Sequence, residues 1–122
     1  MIGVATAAIA SAVAVPLTAA SSDKQSNKTT LITVADDYFA PTDLKIKKND
    51  KVKWVWSDEN LDTHDVVLTG EHPKKVKKKD FKSSSGAIGI TFKRKFTVPG
   101  KYGFICTYHK SVMRFELNVK KH

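Results

Sequence analysis

The stretch "FICTYHKSVMRFEL", residues 104–117, holds the only cysteine of the chain, with a histidine and a methionine close behind it. Cys106, His109 and Met113 therefore offer a thiol, an imidazole and a thioether within one short segment. Each has an ordinary reading when taken alone. Free cysteine packs as a small hydrophobe and methionine fills core gaps, while a histidine in a basic loop is a solvated side chain. Taken together, soft and borderline donors in one loop are what a transition metal binds. Zinc suits this set poorly, because a thioether is a weak zinc ligand.

Such donors need rigid elements to hold them, and from Leu31 onward the hydrophobic period is two rather than 3.6. "LKIKKNDKVKWVW" reads as a strand, a turn at Lys48-Asn49-Asp50 and a second strand. Leu44 and Ile46, then Val52, Trp54 and Trp56, form the apolar faces. "THDVVL" reads as a short strand, and "AIGITFKRKFTV" alternates through Ile88, Ile90, Phe92, Phe96 and Val98. After a tight turn at "PGKY", "KYGFIC" and "MRFELNVK" supply two more strands. No long stretch has a helical face, and no internal repeat is present. The expected class is all-β, a sandwich or barrel of seven or eight short strands.

Strand parity then gathers the donors. Cys106 shares a face with Tyr102 and Phe104, and Met113 with Phe115, Leu117 and Val119. His64 shares a face with Val66 and Leu68. Three donors at strand ends point into one core, and His109 closes the group from the connecting loop. Two imidazoles, one thiolate and a weak axial thioether match the blue-copper electron-transfer arrangement. Thiolate and thioether suit Cu(I), imidazole suits both oxidation states, and a rigid scaffold limits rearrangement on electron gain or loss.

The bulk properties bound the alternatives. At 122 residues with 41% hydrophobic content, the chain makes one domain, with or without a leader. One cysteine excludes an internal disulfide framework, a zinc ribbon, a multi-cysteine iron–sulfur cluster and a thiolate-bridged binuclear centre. Beyond His64 and His109 only His72 and His122 remain, too few for a three-copper oxidase site. Residues 1–20, "MIGVATAAIASAVAVPLTAA", are uncharged and rich in alanine and valine. They read as a secretory signal, truncated at its start because no basic residue precedes the apolar run. A retained membrane anchor is the alternative, and only that would bring membrane contact. Residues 21–30 read as a flexible linker and 31–122 as the copper-binding domain, so the mature protein is expected outside the cytoplasm.

"FTVPGKYGFICTYHKSVM" resembles the C-terminal copper loop of the cupredoxins, the plastocyanin, pseudoazurin and amicyanin group, and "THDVVL" is similar to their upstream His-Asn-Val strand. The resemblance covers about residues 31–121. It implies a Greek-key β-sandwich and assigns His64, Cys106, His109 and Met113 as ligands to one copper ion. There are departures from the pattern. Asp65 stands at the common Asn position, where its carboxylate can still accept a hydrogen bond from Thr107. Tyr108 and Lys110 replace frequent prolines, Phe115 replaces a usual glycine, and the His109–Met113 spacing lies between the shorter and longer family loops.

The net charge of +9 is uneven. "HPKKVKKKD" places five lysines within residues 74–79, read either as a solvated loop or as a steering patch for an acidic redox partner. "SDENLDTHD" sets Asp58, Glu59, Asp62 and Asp65 around His64. The lysine run has no interleaved aromatics, so nucleic acid is not an expected partner. The expected function is a monomeric, mononuclear type 1 copper electron carrier, not an enzyme, that docks its partner near His109. Copper storage or delivery through the same ligands is the alternative, followed by a copper-free polyanion-binding β-domain.

Overall fold

The alternation of apolar and polar residues carries through into eight strands in a computed structural model that describes residues 27–122. The segment read as a signal, and most of the segment read as a linker, lie outside the described residues. The strands are β1 (Thr29–Ala35), β2 (Tyr38–Ala40), β3 (Asp43–Lys47), β4 (Lys51–Trp56), β5 (Val67–Leu68), β6 (Thr91–Lys95), β7 (Gly100–Ile105) and β8 (Arg114–Lys120). One sheet runs β2-β1-β4-β6 and the other β3-β8-β7-β5. The chain passes repeatedly between the two, which gives the expected Greek-key sandwich.

Parity decides what is buried. Val52, Trp54 and Trp56 of β4 face the core, and Lys51, Lys53 and Val55 alternate with them on the half-buried outer face. Trp54 sits at the centre, with ring centroids 5.0 Å from Phe104, 5.4 Å from Phe92 and 5.8 Å from Phe115. Its Nε1 has no hydrogen-bond partner, so this residue contributes bulk and ring contacts rather than a polar tie. Truncating a ring of this kind costs about 3–5 kcal/mol.

Two readings of the sequence need correction. β1 begins at Thr29, because Thr29 and Thr30 pair in parallel with Lys51 and Val52 and so belong to the sheet. Ile88 is 56% exposed instead of inward. The alternation that includes it breaks at Gly89, whose φ of 77° takes the chain out of extended geometry, and β6 starts only at Thr91.

The strand directions create two distinct ends. Gly100 pairs with Val119 at one end of the β7–β8 hairpin and Ile105 pairs with Arg114 at the other. Gly100 has φ 140°, and a Cβ there would stand 2.7 Å from Pro73 Cγ, so the entry to β7 requires glycine. Tyr102 ties the same region together by donating from its hydroxyl to Val98 O at 2.5 Å, and burial pushes its pKa up to about 12. β7 and β8 then deliver Cys106 and Met113 to the opposite end.

Candidate metal centre

The site assembles where four segments meet. Cys106 follows the last residue of β7, and its N–H donates to Met113 O at 3.1 Å. Met113 N–H donates to His109 O at 2.9 Å, and His109 N–H donates to Cys106 O at 3.1 Å. The loop from 106 to 113 is therefore closed by its own backbone, with Cys106 and Met113 fully buried. Met113 stands directly before β8, on the inward side shared with Phe115 and Leu117.

His64 reaches the site from the other wall. Its segment is not a continuous strand. His64 makes an isolated antiparallel bridge with Gly86, and β5 begins only at Val67. The bridge has both hydrogen bonds, His64 N to Gly86 O at 2.9 Å and Gly86 N to His64 O at 3.2 Å. Trp56 Nε1 reinforces it by donating to both carbonyls, at 3.3 and 3.1 Å. The buried imidazole thus stands on a backbone held from three directions.

The side chains converge. Cys106 Sγ lies 3.9 Å from His64 Nδ1 and 3.6 Å from His109 Nδ1, and the two rings are 5.0 Å apart. One donor atom from each of the three residues falls within 4.8 Å of the others. Burial pushes the Cys106 thiol pKa up, and the charge of Asp65 adds to this, while backbone N–H groups of Asp65, Tyr108 and His109 act in the opposite direction. A metal that takes the thiolate must displace that proton. Two borderline nitrogens and a soft sulfur, in a pocket with a buried methionine on its loop, fit copper by the chemistry of the donors.

Carboxylates hold this group from outside. Asp36 Oδ1 accepts from His64 Nε2 at 2.9 Å, so Nδ1 is the nitrogen left facing the sulfur. N–H groups of Leu61 and Asp62 also donate to Asp36, and these bonds, led by Leu61, hold its carboxyl below the usual range. Asp65 receives Thr107 N–H at Oδ1 and Thr107 Oγ1 at Oδ2, both at 2.6 Å. The departure from asparagine therefore keeps the tie between the two metal-side loops. Around the more exposed His109, Asp37 and Asp62 place carboxylate oxygens 3.7 and 3.9 Å from Nε2.

Sequence reasoning named His64, Cys106, His109 and Met113; the donors of the first three converge, and Met113 is buried at the end of the same loop, while Asp36, Trp56 and Gly86 were missed as supports. The signal for Asp36 was slight, two adjacent acids closing β1, and 28 positions separate it from His64. The lysine run divides between a flank of the sandwich and the neighbourhood of the His109 loop. Lys75, Lys77 and Lys79 line a flank groove with Val98 and Tyr102, and Lys78, Lys79 and Lys82 reach toward Thr107 and Tyr108.

Residues 25–120 match the model of the copper binding proteins of the plastocyanin/azurin family. The chain belongs to that family, and one copper ion is the cofactor that the family and this donor set specify. Solved structures share the fold. A pseudoazurin from Sinorhizobium meliloti is 17% identical with a TM-score of 0.59, covering 77% of this chain and 75% of its own. Amicyanin from Paracoccus versutus is 19% identical with a TM-score of 0.60, covering 75% and 81%. A copper-containing nitrite reductase from Thermus scotoductus is 23% identical with a TM-score of 0.65 over 77% of this chain, which spans only 23% of that longer protein.

Proposed function

We propose that this chain is an extracytoplasmic, monomeric electron carrier. Copper would be held by His64 Nδ1, Cys106 Sγ and His109 Nδ1, with the Met113 thioether as the further donor of the same loop. The observation that carries this reading is the meeting of both Nδ1 atoms with a buried sulfur, at 3.9 and 3.6 Å, on a doubly bonded backbone bridge. When bound, copper supplies a one-electron couple between Cu(I) and Cu(II). The protein supplies a cage that the strands and the Asp36 and Asp65 carboxylates keep from rearranging.

Access favours transfer over chemistry on a substrate. The side chain of His64 is sealed, whereas that of His109 remains 23% exposed and gives the short route outward. Tyr108 and Val112 flank it as exposed apolar contacts, with Leu61 on the same end. The Asp37 and Asp62 oxygens beside Nε2 make the rim acidic, which supports a partner with cationic contact groups rather than the acidic partner suggested by the lysine run. His72 is not among the converging donors; its Nδ1 lies against Pro73 O at 2.9 Å. The uncharged residues 1–20 support export.

The test is addition of Cu(II) with metal analysis, a visible spectrum and voltammetry. One equivalent of copper, a strong thiolate charge-transfer band and a fast reversible couple are expected. Stoichiometric copper with a sluggish couple would favour storage or delivery instead. No stoichiometric copper would overturn both.

A further inference from the structure

Six lysines scattered in sequence gather at the end opposite the metal donors. β1 and β4 start side by side, and β6 brings Lys95 opposite Lys51. β3 and β8 finish together, with Lys47 opposite Lys120, and Lys48 N–H donates to Lys120 O at 2.7 Å. Lys28 enters the same end, since its N–H donates to Asp50 Oδ1 at 3.0 Å. Lys28, Lys47, Lys48, Lys51, Lys95 and Lys120 therefore crown the ends of five strands. The carboxylate among them is no counter-charge at the surface. Asp50 is buried, and its second oxygen accepts Lys47 N–H at 3.0 Å.

We propose that this pole binds the anionic surface of a lipid bilayer. In that pose the His109 end faces away from the membrane. Three observations favour a charged plane over a protein or a nucleic acid. Of the exposed large apolar residues, Tyr38, Leu61, Tyr108 and Val112 lie at the metal end, and Leu31, paired with Lys53 near the start of β1, stands alone toward the lysine pole, which therefore has no apolar cluster of the kind protein interfaces use. The pole also lacks the aromatic platforms on which bases stack. And the chain enters the fold at this pole, through Lys28 and Thr29, so the uncharged apolar residues 1–20 precede it in sequence by a short segment. A basic patch that closely follows an apolar segment in sequence is, where that segment is retained, the two-signal arrangement by which proteins associate with anionic membranes. The pole binds through its lysines whether or not the apolar segment is retained, and the proposal does not rest on copper.

Sedimentation of the full chain with vesicles tests this, with phosphatidylcholine alone compared against the same lipid containing roughly one-third phosphatidylglycerol. An apolar segment partitions into both, so the difference between the two reads the lysines. Phosphatidylglycerol should strengthen binding, and that gain should weaken steeply as salt rises. Substituting Lys47→Gln, Lys48→Gln and Lys120→Gln together should lower the phosphatidylglycerol-dependent association constant about a hundredfold. The matched triple Lys78→Gln, Lys82→Gln and Lys110→Gln should lower it far less. Equal losses in the two triples would mean that net charge alone acts, and would overturn the site. Loss of binding to the vesicles but retention on soluble polyglutamate, sensitive to the first triple, would reassign the pole to an acidic polypeptide and overturn it as well.

Discussion

Two walls of the metal site are built differently. The Cys106 and His64 side is fully buried and pinned by backbone: a two-bond bridge to Gly86, Trp56 Nε1 across it, and Asp65 clamping Thr107. The His109 side is a loop closed on itself, with a partly exposed ring and carboxylates that only approach it, at 3.7 and 3.9 Å. The difference divides the labour. The buried wall fixes geometry, so substitutions there change binding, stability or potential. The open wall sets access, so substitutions there change rates.

The sharpest break in this comparison comes at Cys106. Cys106→Ser removes the thiolate that supplies both the colour and the strongest bond, so the visible band should vanish and copper affinity fall by several orders of magnitude. A variant that stays blue would remove Cys106 from the site.

Asp65→Ala should come next. Two hydrogen bonds of 2.6 Å to a buried carboxylate are lost together, and charged acceptors of this kind contribute about 1.5–3 kcal/mol each. A loss near 3 kcal/mol in urea unfolding of the copper-free protein is expected. Asp65→Asn should recover most of it. Equal losses for the two variants would show that the side chain does not clamp Thr107.

How much of this was legible beforehand follows from the range of each contact. Tyr102, Phe104 and Cys106 fall on one buried face, as do Met113, Phe115 and Leu117, because period-two alternation is a local property and these strands obey it. His64 was placed correctly for a partly wrong reason. Its segment is a single bridge rather than a strand, and both Asp65 and Val66 beside it are buried. Asp36 and Gly86 escaped notice because their contacts with His64 depend on which loops the topology brings together, and no local pattern encodes that. Ile88 was misplaced because Gly89 interrupts an alternation that composition alone continues.

Asp36 therefore offers a test of the buried wall that sequence did not suggest. Asp36→Ala leaves His64 Nε2 without its acceptor, and losing such a support typically costs about 10–100-fold in metal affinity. Competition with a copper chelator measures it. An unchanged affinity would mean that the Gly86 bridge alone orients the ring. Met113→Gln should have a smaller effect on affinity, because the axial ligand tunes the metal more than it holds it. Copper should stay bound while spectrum and potential move. If neither moves, Met113 is core and not a ligand.

The smallest effect is expected on the open wall, where it should appear only in rates. Asp37→Asn with Asp62→Asn removes both carboxylates beside His109 Nε2 but touches none of the buried bonds, so the copper spectrum should be unchanged. The protein as a whole is cationic, which by itself draws anionic reagents. In contact with His109 Nε2 the charges are the carboxylates of Asp37 and Asp62, and their contribution separates from that of the distant lysines with salt. The six residues of β7 span about 20 Å, while the Debye length is about 10 Å at 0.1 M salt. The lysine pole is thus screened there and the carboxylates at His109 are not. Transfer to hexaammineruthenium and to ferricyanide at that ionic strength compares a cationic with an anionic probe. In the double variant the cationic probe should slow and the anionic probe quicken, each a few-fold. If the ratio of the two rates stays that of the wild type, electrons leave by another face and His109 is not the open edge.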